Sequence, residues 1–457
     1  MFNRRETLLA GLFGAEYLGL RALATGLPAW FIANPRKASA QDLQCALDAR
    51  DKMQYLVIST SSQGDPLNCN APGTYEAPEI IHPLQPTVAT TPVTLGTQTV
   101  GAALPWASTA VGGALAPATL ARAGFFHYST RSTVHGDQPK VMKLLGATNR
   151  SEMMVSAYAK HLATCFSTVQ PEPVAVGARG NASELVSFAG RTLPSISPTQ
   201  LKQLLTGTRT SPLLALRTVR DASLAKLNDL AKTSANNVQK QFLDAMALSR
   251  TQVRQLAEAL ATTLNAITAD DVKGQGLAAA ALISANVTPV VTMHIPFGGD
   301  NHTDTDLAGE AAQTVTGVQG IQQLMDALAG LGLTDKVTFA TMNVFGRNLN
   351  GIVKTDGRTG RDHYGNHAVS VLIGKNIAPG VTGGVIKGTS GAYSASDIDS
   401  ATGMPVAGGD IPVAQTNVAL ARTLGVALGI PSTVLAADLA PSAGGKVVNT
   451  ALSGVSG

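Results

Sequence analysis

Five runs of mostly apolar residues constrain the fold of this chain more than any other feature. They are rich in Val, Ile, Leu and Thr, and each is followed by a turn or loop that contains Gly, Ser or Asp. Continuous rather than alternating apolar content predicts strands that are covered on both faces by helices. The pattern therefore predicts an α/β sheet. Its predicted strands span residues 54–60, 172–178, 288–295, 336–345 and 367–374.

A long helical tract separates the second predicted strand from the third. Apolar residues recur there at three- and four-residue intervals or their multiples, which predicts one or two amphipathic helices across residues 213–266. We expect a helical insertion at about residues 199–270 that packs on the sheet as a cap. A coiled-coil arm for oligomerisation is the alternative.

The N-terminus has the layout of an export signal. Arg4 and Arg5 are followed by a moderately apolar stretch and then by the small-residue sequence "ASA", which ends at Ala40. This order is typical of a Tat signal peptide over residues 1–40, and an ordinary amphipathic helix is the alternative. We expect the Tat export machinery as a partner, one mature domain over residues 41–457 without a stable membrane span, and a periplasmic or secreted location.

The net charge of +4 does not indicate a nucleic-acid partner. The first forty residues contain five basic and two acidic side chains, so they account for three of the four net charges. Aromatic residues make up only 4% of the chain, which leaves few side chains on which bases could stack. The sequence therefore predicts no nucleic-acid binding.

The cysteines define no framework. Cys45, Cys69 and Cys165 show no C-x-x-C spacing, which argues against a thiolate zinc site. One bridge could form outside the cytoplasm. Cys165 lies in a helical pattern, and we expect it to be a small buried residue.

Four clusters of polar residues lie next to predicted strand ends, which is where α/β sheets collect ligands. Their members are Asp65 and Asn68; Ser132, Thr133, His135 and Asp137; Asp300 and His302; and Arg347, Asp362, His363 and His367. Carboxylate and imidazole ligands suit zinc, manganese or magnesium. The alternative is a set of unrelated polar loops. A calcium-binding loop at "DNHTDTDLAGEA" fails on spacing, because Thr305 replaces its glycine and Ala311 its closing glutamate.

These motifs resemble a known family in their order. The sequence contains "GDPLN", "HGDQPKV", "GGDNH", "TFATMNVFGRNLN", "GRDHYGNHAVSVLIGKNIAPGVTGGVIKG" and "IPVAQTNVALARTLGVALGIP". Together they look like an uncharacterised family of Tat-exported bacterial proteins (domain of unknown function 1501) within the alkaline phosphatase and sulfatase superfamily. The resemblance covers most of the mature chain.

The resemblance implies a three-layer α/β/α sandwich with a mostly parallel central sheet and one or two divalent metals at its carboxyl edge. Zinc is the expected metal, with manganese, magnesium or calcium as alternatives. The metal ligands carried over are Asp65, Asp300, His302, Asp362 and His363. The catalytic residues carried over are Thr133 or His135 in the nucleophile region, beside Ser132, and Arg347 as a clamp for an anionic ester.

Two departures separate this chain from the family pattern. Val344 stands where the family commonly has Glu before Phe-Gly-Arg, and no recognisable nucleophile motif surrounds Thr133. The sequence therefore predicts an exported metal-dependent hydrolase that acts on phosphate or sulfate esters, either small or linked to a polymer. One alternative is a metal-binding member that has lost turnover and serves in binding or in envelope assembly. Another is a hydrolase of a different bond.

Overall fold

A computed structural model describes residues 52–83, 90–107, 115–166, 168–177, 186–206, 217–234, 240, 260–353, 356–389, 391–439 and 445–457. The predicted signal peptide and its cleavage site therefore lie outside the described residues. Within the described ranges, no helix combines the length and the apolar character needed to cross a membrane.

The described residues contain eighteen strands. In chain order they are β1 (Tyr55–Ser61), β2 (Thr90–Leu95), β3 (Gln98–Ala103), β4 (Ala123–Tyr128), β5 (Val174–Val176), β6 (Val186–Phe188), β7 (Arg191–Leu193), β8 (Ser195–Ile196), β9 (Val290–Met293), β10 (Val337–Asn343), β11 (Gly346–Arg347), β12 (Ile352–Val353), β13 (Thr359–Gly360), β14 (His363–Tyr364), β15 (Ala368–Ile373), β16 (Gly380–Thr382), β17 (Val385–Lys387) and β18 (Tyr393–Ala395).

Eight of these strands form one central sheet in the order β16-β4-β15-β10-β1-β9-β5-β8. All five predicted strands are present in it, as β1, β5, β9, β10 and β15. Neighbouring strands are parallel except where β15 meets β10 and β4, so β15 alone runs against the others. The prediction of a mostly parallel sheet is confirmed.

The apolar patterns of the sequence did not predict β4, one of the longer strands of the sheet. All six of its residues are buried, including His127 in the middle of "AGFFHY". A buried histidine and two small residues at the start interrupt the apolar run that marks the other long strands.

Eleven helices accompany the sheet. They are α1 (Leu104–Ala107), α2 (Pro117–Leu120), α3 (Gln138–Met142), α4 (Met154–Phe166), α5 (Pro198–Thr206), α6 (Arg217–Ser234), α7 (Ala261–Asn265), α8 (Val272–Ser284), α9 (Ala308–Gly330), α10 (Thr416–Ala427) and α11 (Ser432–Asp438), all among the described residues.

Hydrophobic cores lie on both faces of the sheet. Leu56 and Ile58 of β1 pack in one core with α4 and α10, whereas Val57, between them, packs in a second core with α8 and α9. Successive side chains of a strand point to opposite faces. The fold is therefore a mixed α/β structure with a large, mostly parallel sheet between helices, which is compatible with the expected sandwich.

The predicted helical insertion is only partly a cap. Leu201 of α5 and Leu264 of α7 are fully buried in the same core as β9 and α8. In contrast, Leu227 and Leu230 of α6 are largely exposed. The two ends of the 199–270 tract thus belong to the main core, and the limits of any removable cap lie between them.

This division predicts different effects for two leucines of the same tract. We expect Leu264→Ala to lower the free energy of unfolding by about 2–5 kcal/mol, because it opens a cavity in the core. Leu230→Ala should change it by about 0.5 kcal/mol or less, because that side chain is 70% exposed. Urea denaturation measures both. Two equally small losses would show that the whole tract is a detachable cap. Two equally large losses would show that all of it is core.

The cysteines differ from expectation in one respect. Cys69 is a free, buried thiol, but Cys165 takes part in a disulfide bond. The expectation that Cys165 is only a small buried residue was therefore incomplete.

Candidate metal centre

Loops from five strands of the sheet meet at one edge. The strands β1, β4, β9 and β10 run in the same direction, so the loops that follow them, with Ser62, His135, Asp300 and Arg347, emerge at one side. Because β15 is antiparallel, the segment that precedes it arrives at the same edge. His363 lies in that segment and pairs with Arg347 in the small β11–β14 ribbon.

The side chains of Asp300, His302, His363 and His135 converge at this edge. Oδ1 of Asp300 lies 2.9 Å from Nε2 of His302 and 3.1 Å from Nε2 of His363. The two imidazole Nε2 atoms are 3.1 Å apart. On the other side of the carboxylate, Nε2 of His135 lies 3.9 Å from Oδ2 of Asp300. Ligand atoms of His135, Asp300 and His363 lie within 4.8 Å of one another, so this cluster could hold a metal ion.

Oxygen acceptors fix the tautomers of all three histidines. Nδ1 of His135 lies 2.7 Å from the Ser62 carbonyl oxygen, and Nδ1 of His363 lies 2.8 Å from that of Thr133. Nδ1 of His302 lies 2.9 Å from Oδ1 of Asp362. A carbonyl oxygen only accepts hydrogen bonds, as does an ionised carboxylate, so each Nδ1 donates. In the neutral rings, each Nε2 then carries a lone pair toward the point of convergence.

This arrangement needs a positive charge at its centre. Two nitrogen lone pairs and a carboxylate oxygen that lie about 3 Å apart repel one another unless a cation or an added proton lies between them. Zinc binds imidazole nitrogen at about 2.0–2.1 Å, and a tetrahedron of such bonds has edges of about 3.3 Å. The separations match that size. The donor set and its spacing therefore fit a divalent metal of the zinc type.

Asp300 is ionised in this setting. Its partial burial acts to raise the pKa of the carboxyl, but the hydrogen bond and the positive charge of Arg347 oppose that effect, and the pKa lies below its usual range. Nη1 of Arg347 lies 2.9 Å from Oδ1 of Asp300. Asp300 can therefore act as a charged ligand at neutral pH.

Backbone oxygens surround the remainder of the Arg347 guanidinium. Its Nε donates to Gly64 O at 2.6 Å, and Nη2 donates to Gln63 O at 2.9 Å and to Gly299 O at 3.2 Å. The side chain is fully buried. This geometry joins the loop after β1 to the loop that carries Asp300. The sequence-based role of Arg347 as a clamp for an anion stays a prediction.

A buried chain of polar side chains holds the backbone of Arg347. Asn68 Oδ1 accepts from Arg347 N at 2.8 Å, and Asn68 Nδ2 donates to Arg347 O at 2.8 Å. The same Nδ2 lies 3.0 Å from Nδ1 of His367, whose Nε2 lies 3.0 Å from Nδ1 of His127. His127 Nε2 lies 2.9 Å from the Pro72 carbonyl, so it must donate, and every other role in the chain follows from that.

The two histidines of this hydrogen-bonded series, His127 and His367, are both neutral, as the proton assignment requires. Burial lowers the pKa of His127 to about 4 and holds the pKa of His367 well below its usual range. A second proton on either ring would place a donor against a donor. The His127–His367 pair is thus a rigid support for Arg347 rather than a part of the metal set. His367 belongs to one of the polar clusters of the sequence, but the sequence predicted no role for it.

Other residues that the sequence predicted as ligands lie outside the convergence point. Asp362 holds Nδ1 of His302, on the far side of the ring from Nε2. Asp65 is almost fully buried, and its two oxygens accept from Ser61 Oγ and from Phe297 N, both at 3.1 Å. Asp362 thus orients a ligand, and Asp65 joins two loops of the site. Their direct ligation of a metal stays a prediction.

The three candidates for the nucleophile region have different surroundings. Ser132 Oγ donates to Asp137 Oδ2 at 2.8 Å and is buried. Thr133 is exposed, and its carbonyl oxygen accepts from Nδ1 of His363. His135, assigned to catalysis from the sequence, lies among the candidate ligands, and its catalytic role stays a prediction. Of these two residues, Thr133 is the more accessible.

Comparisons with known proteins bear on this site. The model of a family described as "Protein of unknown function (DUF1501)" matches residues 145–402, which include Asp300, His302, Arg347 and His363. No curated protein matches the chain. Since the match covers more than half of the sequence, the chain belongs to the DUF1501 family.

Proposed function

We propose that this protein is an exported, metal-dependent hydrolase of phosphate or sulfate esters, built on the fold of the alkaline phosphatase and sulfatase superfamily. One observation carries the proposal. Three histidines with fixed Nδ1–H tautomers direct their Nε2 atoms toward an ionised carboxylate at the carboxyl edge of the sheet. Asp and His ligands at that edge are what the superfamily resemblance implies.

Access of solvent to the site supports a catalytic rather than a structural metal. The side chains of His302, His363 and Asp300 are 35%, 22% and 44% exposed. Structural zinc sites are closed by four protein ligands, whereas catalytic sites keep a position open for water or substrate. A set that reaches solvent can admit an ester oxygen.

Each residue of the site would have a separate task. A divalent metal bound there would polarise the ester and neutralise charge on its oxygens. Asp362 keeps the His302 ring turned with Nε2 inward, and the Thr133 carbonyl does the same for His363. Arg347 holds Asp300 in place. Thr133 is exposed and its carbonyl oxygen contacts the His363 ring, so its hydroxyl is our candidate for the nucleophile.

A second function, binding without turnover, has one specific observation in its favour. Val344 is fully buried in the core, at the position where the family commonly has Glu. It offers no oxygen to a metal or to a substrate. A protein that retains the Asp and His set but lacks this carboxylate could serve as a metal-binding protein of the cell envelope.

The disulfide at Cys165 supports the proposed export. Disulfides persist in oxidising compartments and are rare in the cytoplasm, where thiols are kept reduced. A periplasmic or secreted location agrees with that chemistry and with the twin arginine of the sequence.

The test of turnover compares the wild-type protein with Thr133→Val on an aryl phosphate and an aryl sulfate. We expect the wild type to hydrolyse at least one ester, to lose the activity on treatment with a chelator and to regain it with zinc. Thr133→Val should lose more than about 100-fold in kcat, because it lacks the attacking hydroxyl, yet bind zinc normally. Initial rates and elemental analysis give both quantities.

The controls separate the two functions. Thr164→Val removes another threonine hydroxyl, one that donates only to Lys160 O on the surface of α4, and should retain full activity. A wild-type protein that binds zinc but hydrolyses neither ester would favour the binding function. Full activity in Thr133→Val would exclude that residue as the nucleophile.

A further inference from the structure

A buried carboxylate lies directly behind the candidate metal centre. Glu310, in the first turn of α9, is fully buried. Its Oε2 accepts from Arg361 Nε at 2.6 Å and from Asn301 Nδ2 at 2.8 Å. Its Oε1 accepts from Arg361 Nη2 and Asn70 Nδ2, both at 2.9 Å. We call Asn70, Asn301, Glu310 and Arg361 the Glu310 network.

The arginine of this network is also completely satisfied. Arg361 makes two bonds to Glu310, from Nε and Nη2. In addition, its Nη1 donates to Asn348 O and Leu349 O at 2.9 Å, and its Nη2 donates to Ile81 O at 2.6 Å. All five N–H groups of the guanidinium are therefore used. Its side chain is fully buried, as is that of Glu310.

Stability alone is a weak reason for such a pair. Burial of two charges costs about as much as their attraction returns, and well-packed apolar residues often serve equally well. A buried pair whose carboxylate and guanidinium are both fully hydrogen-bonded does fix the relative positions of the segments that contribute to it. The value of the Glu310 network therefore depends on which segments it joins.

It joins the two segments that carry the candidate metal ligands. Asn301 lies between Asp300 and His302 in the sequence, and Arg361 directly precedes Asp362 and His363. The backbones meet as well, since Arg361 N donates to Asn301 O at 3.2 Å. Some sixty residues separate the two segments along the chain, so contacts of this kind must set their spacing.

The close approach of these segments is visible at Gly360. A Cβ atom added there would lie 2.0 Å from His302 O, far inside any normal contact. The two loops are thus in direct contact in front of Glu310. A small change in their separation would alter the distance between the Nε2 atoms of His302 and His363.

We propose that Glu310 is a positioning residue for the metal centre: it binds Asn301 and Arg361 together and so sets the spacing between the Asp300–His302 and Asp362–His363 segments. The inference rests on the proposed metal site and adds to it a residue that touches no metal. Its effect is on metal affinity, because ligands that are already in place lose less entropy on binding.

Zinc affinity measured by competition with a chelator tests this role. We expect Glu310→Gln and Asn301→Ala to raise the dissociation constant for zinc by about 10- to 100-fold, as loss of outer partners of metal ligands does. The absorption spectrum of bound cobalt should also change, because the ligand geometry is no longer fixed. Asn301→Ala removes one hydrogen bond and leaves the buried Glu310–Arg361 ion pair intact, so it decides the matter if Glu310→Gln fails to fold.

Thr314→Val is the matched control. Thr314 lies one turn along the same helix and is equally buried, and its hydroxyl accepts from Asn70 at 3.2 Å. The change leaves all four bonds to the Glu310 carboxylate intact. We expect a lower melting temperature, with the zinc dissociation constant within about threefold of the wild-type value.

The outcomes are distinct. Wild-type affinity and cobalt spectrum in Asn301→Ala would overturn the positioning role and leave the metal site standing. An affinity loss in Thr314→Val as large as that in Asn301→Ala would overturn it too, because the effect would follow stability alone. A wild-type protein that binds no metal would overturn both the proposed function and this inference.

Discussion

The double variant His302→Ala/His363→Ala is expected to contain no bound zinc after dialysis, whereas the wild type retains roughly one ion per chain. The change removes two of the three imidazoles and leaves Asp300 with His135 at 3.9 Å. Two ligands cannot complete a zinc site, which needs at least three from the protein. Elemental analysis of the purified proteins measures the difference.

The fold should survive this double change. The sheet beneath is held by strands such as β1, in which Leu56, Val57 and Ile58 are fully buried, and both histidines are partly exposed. Circular dichroism checks that expectation. His161→Ala is the control, because His161 also pairs with a carboxylate, that of Asp438 at 2.8 Å, but on α4, away from the site. Equal metal content in the double variant and the wild type would mean that these loops are only polar surface.

The second large effect is expected on export. Replacing Arg4 and Arg5 by Lys should leave the unprocessed precursor in the cytoplasm, because the twin arginine is an address read by a receptor. Lysine retains the charge but lacks the planar guanidinium, so the variant tests recognition rather than net charge. Fractionation and mass spectrometry follow the location and the new N-terminus, which we expect after Ala40.

Arg21→Lys is the matched control for export, since it makes the same change outside the pair. Retained precursor should also lack the disulfide at Cys165, because the cytoplasm keeps thiols reduced. Labelling of free thiols detects that difference. Normal processing of the double lysine variant would contradict the Tat interpretation of the N-terminus.

The sequence predicted the central elements of the fold well. Five apolar runs became five strands of one sheet, because a strand covered on both faces must be apolar along its whole length. The parallel order of those strands also predicted the edge of the sheet at which the loops with the polar clusters meet. The strand β4 escaped prediction because it includes a buried histidine, whose two ring nitrogens are paired with His367 and with the Pro72 carbonyl.

The structure brings Asp300, His302 and His363 of the predicted ligand set together at one edge, but the sequence could not divide the set by task. In the sequence, Asp300 and His302 share one motif with Asp304 and Asp306. Asp362 directly precedes His363. In the structure, Asp362 orients His302, whereas His135, from another loop, faces Asp300. Which oxygen or nitrogen points inward depends on side-chain direction, and residue order does not determine that.

By itself, the sequence determined the α/β class, five of the eight strands of the central sheet and the types of side chain available for chemistry, because periodicity and residue type are local properties. The tertiary structure alone decided which donor atoms meet, that β15 runs antiparallel so that His363 reaches the common edge, and that Glu310 joins Asn301 to Arg361. These contacts join residues up to several hundred positions apart, such as Asn68 and His367. Their geometry arises from the packing of the whole sheet with its loops, and no local pattern encodes it.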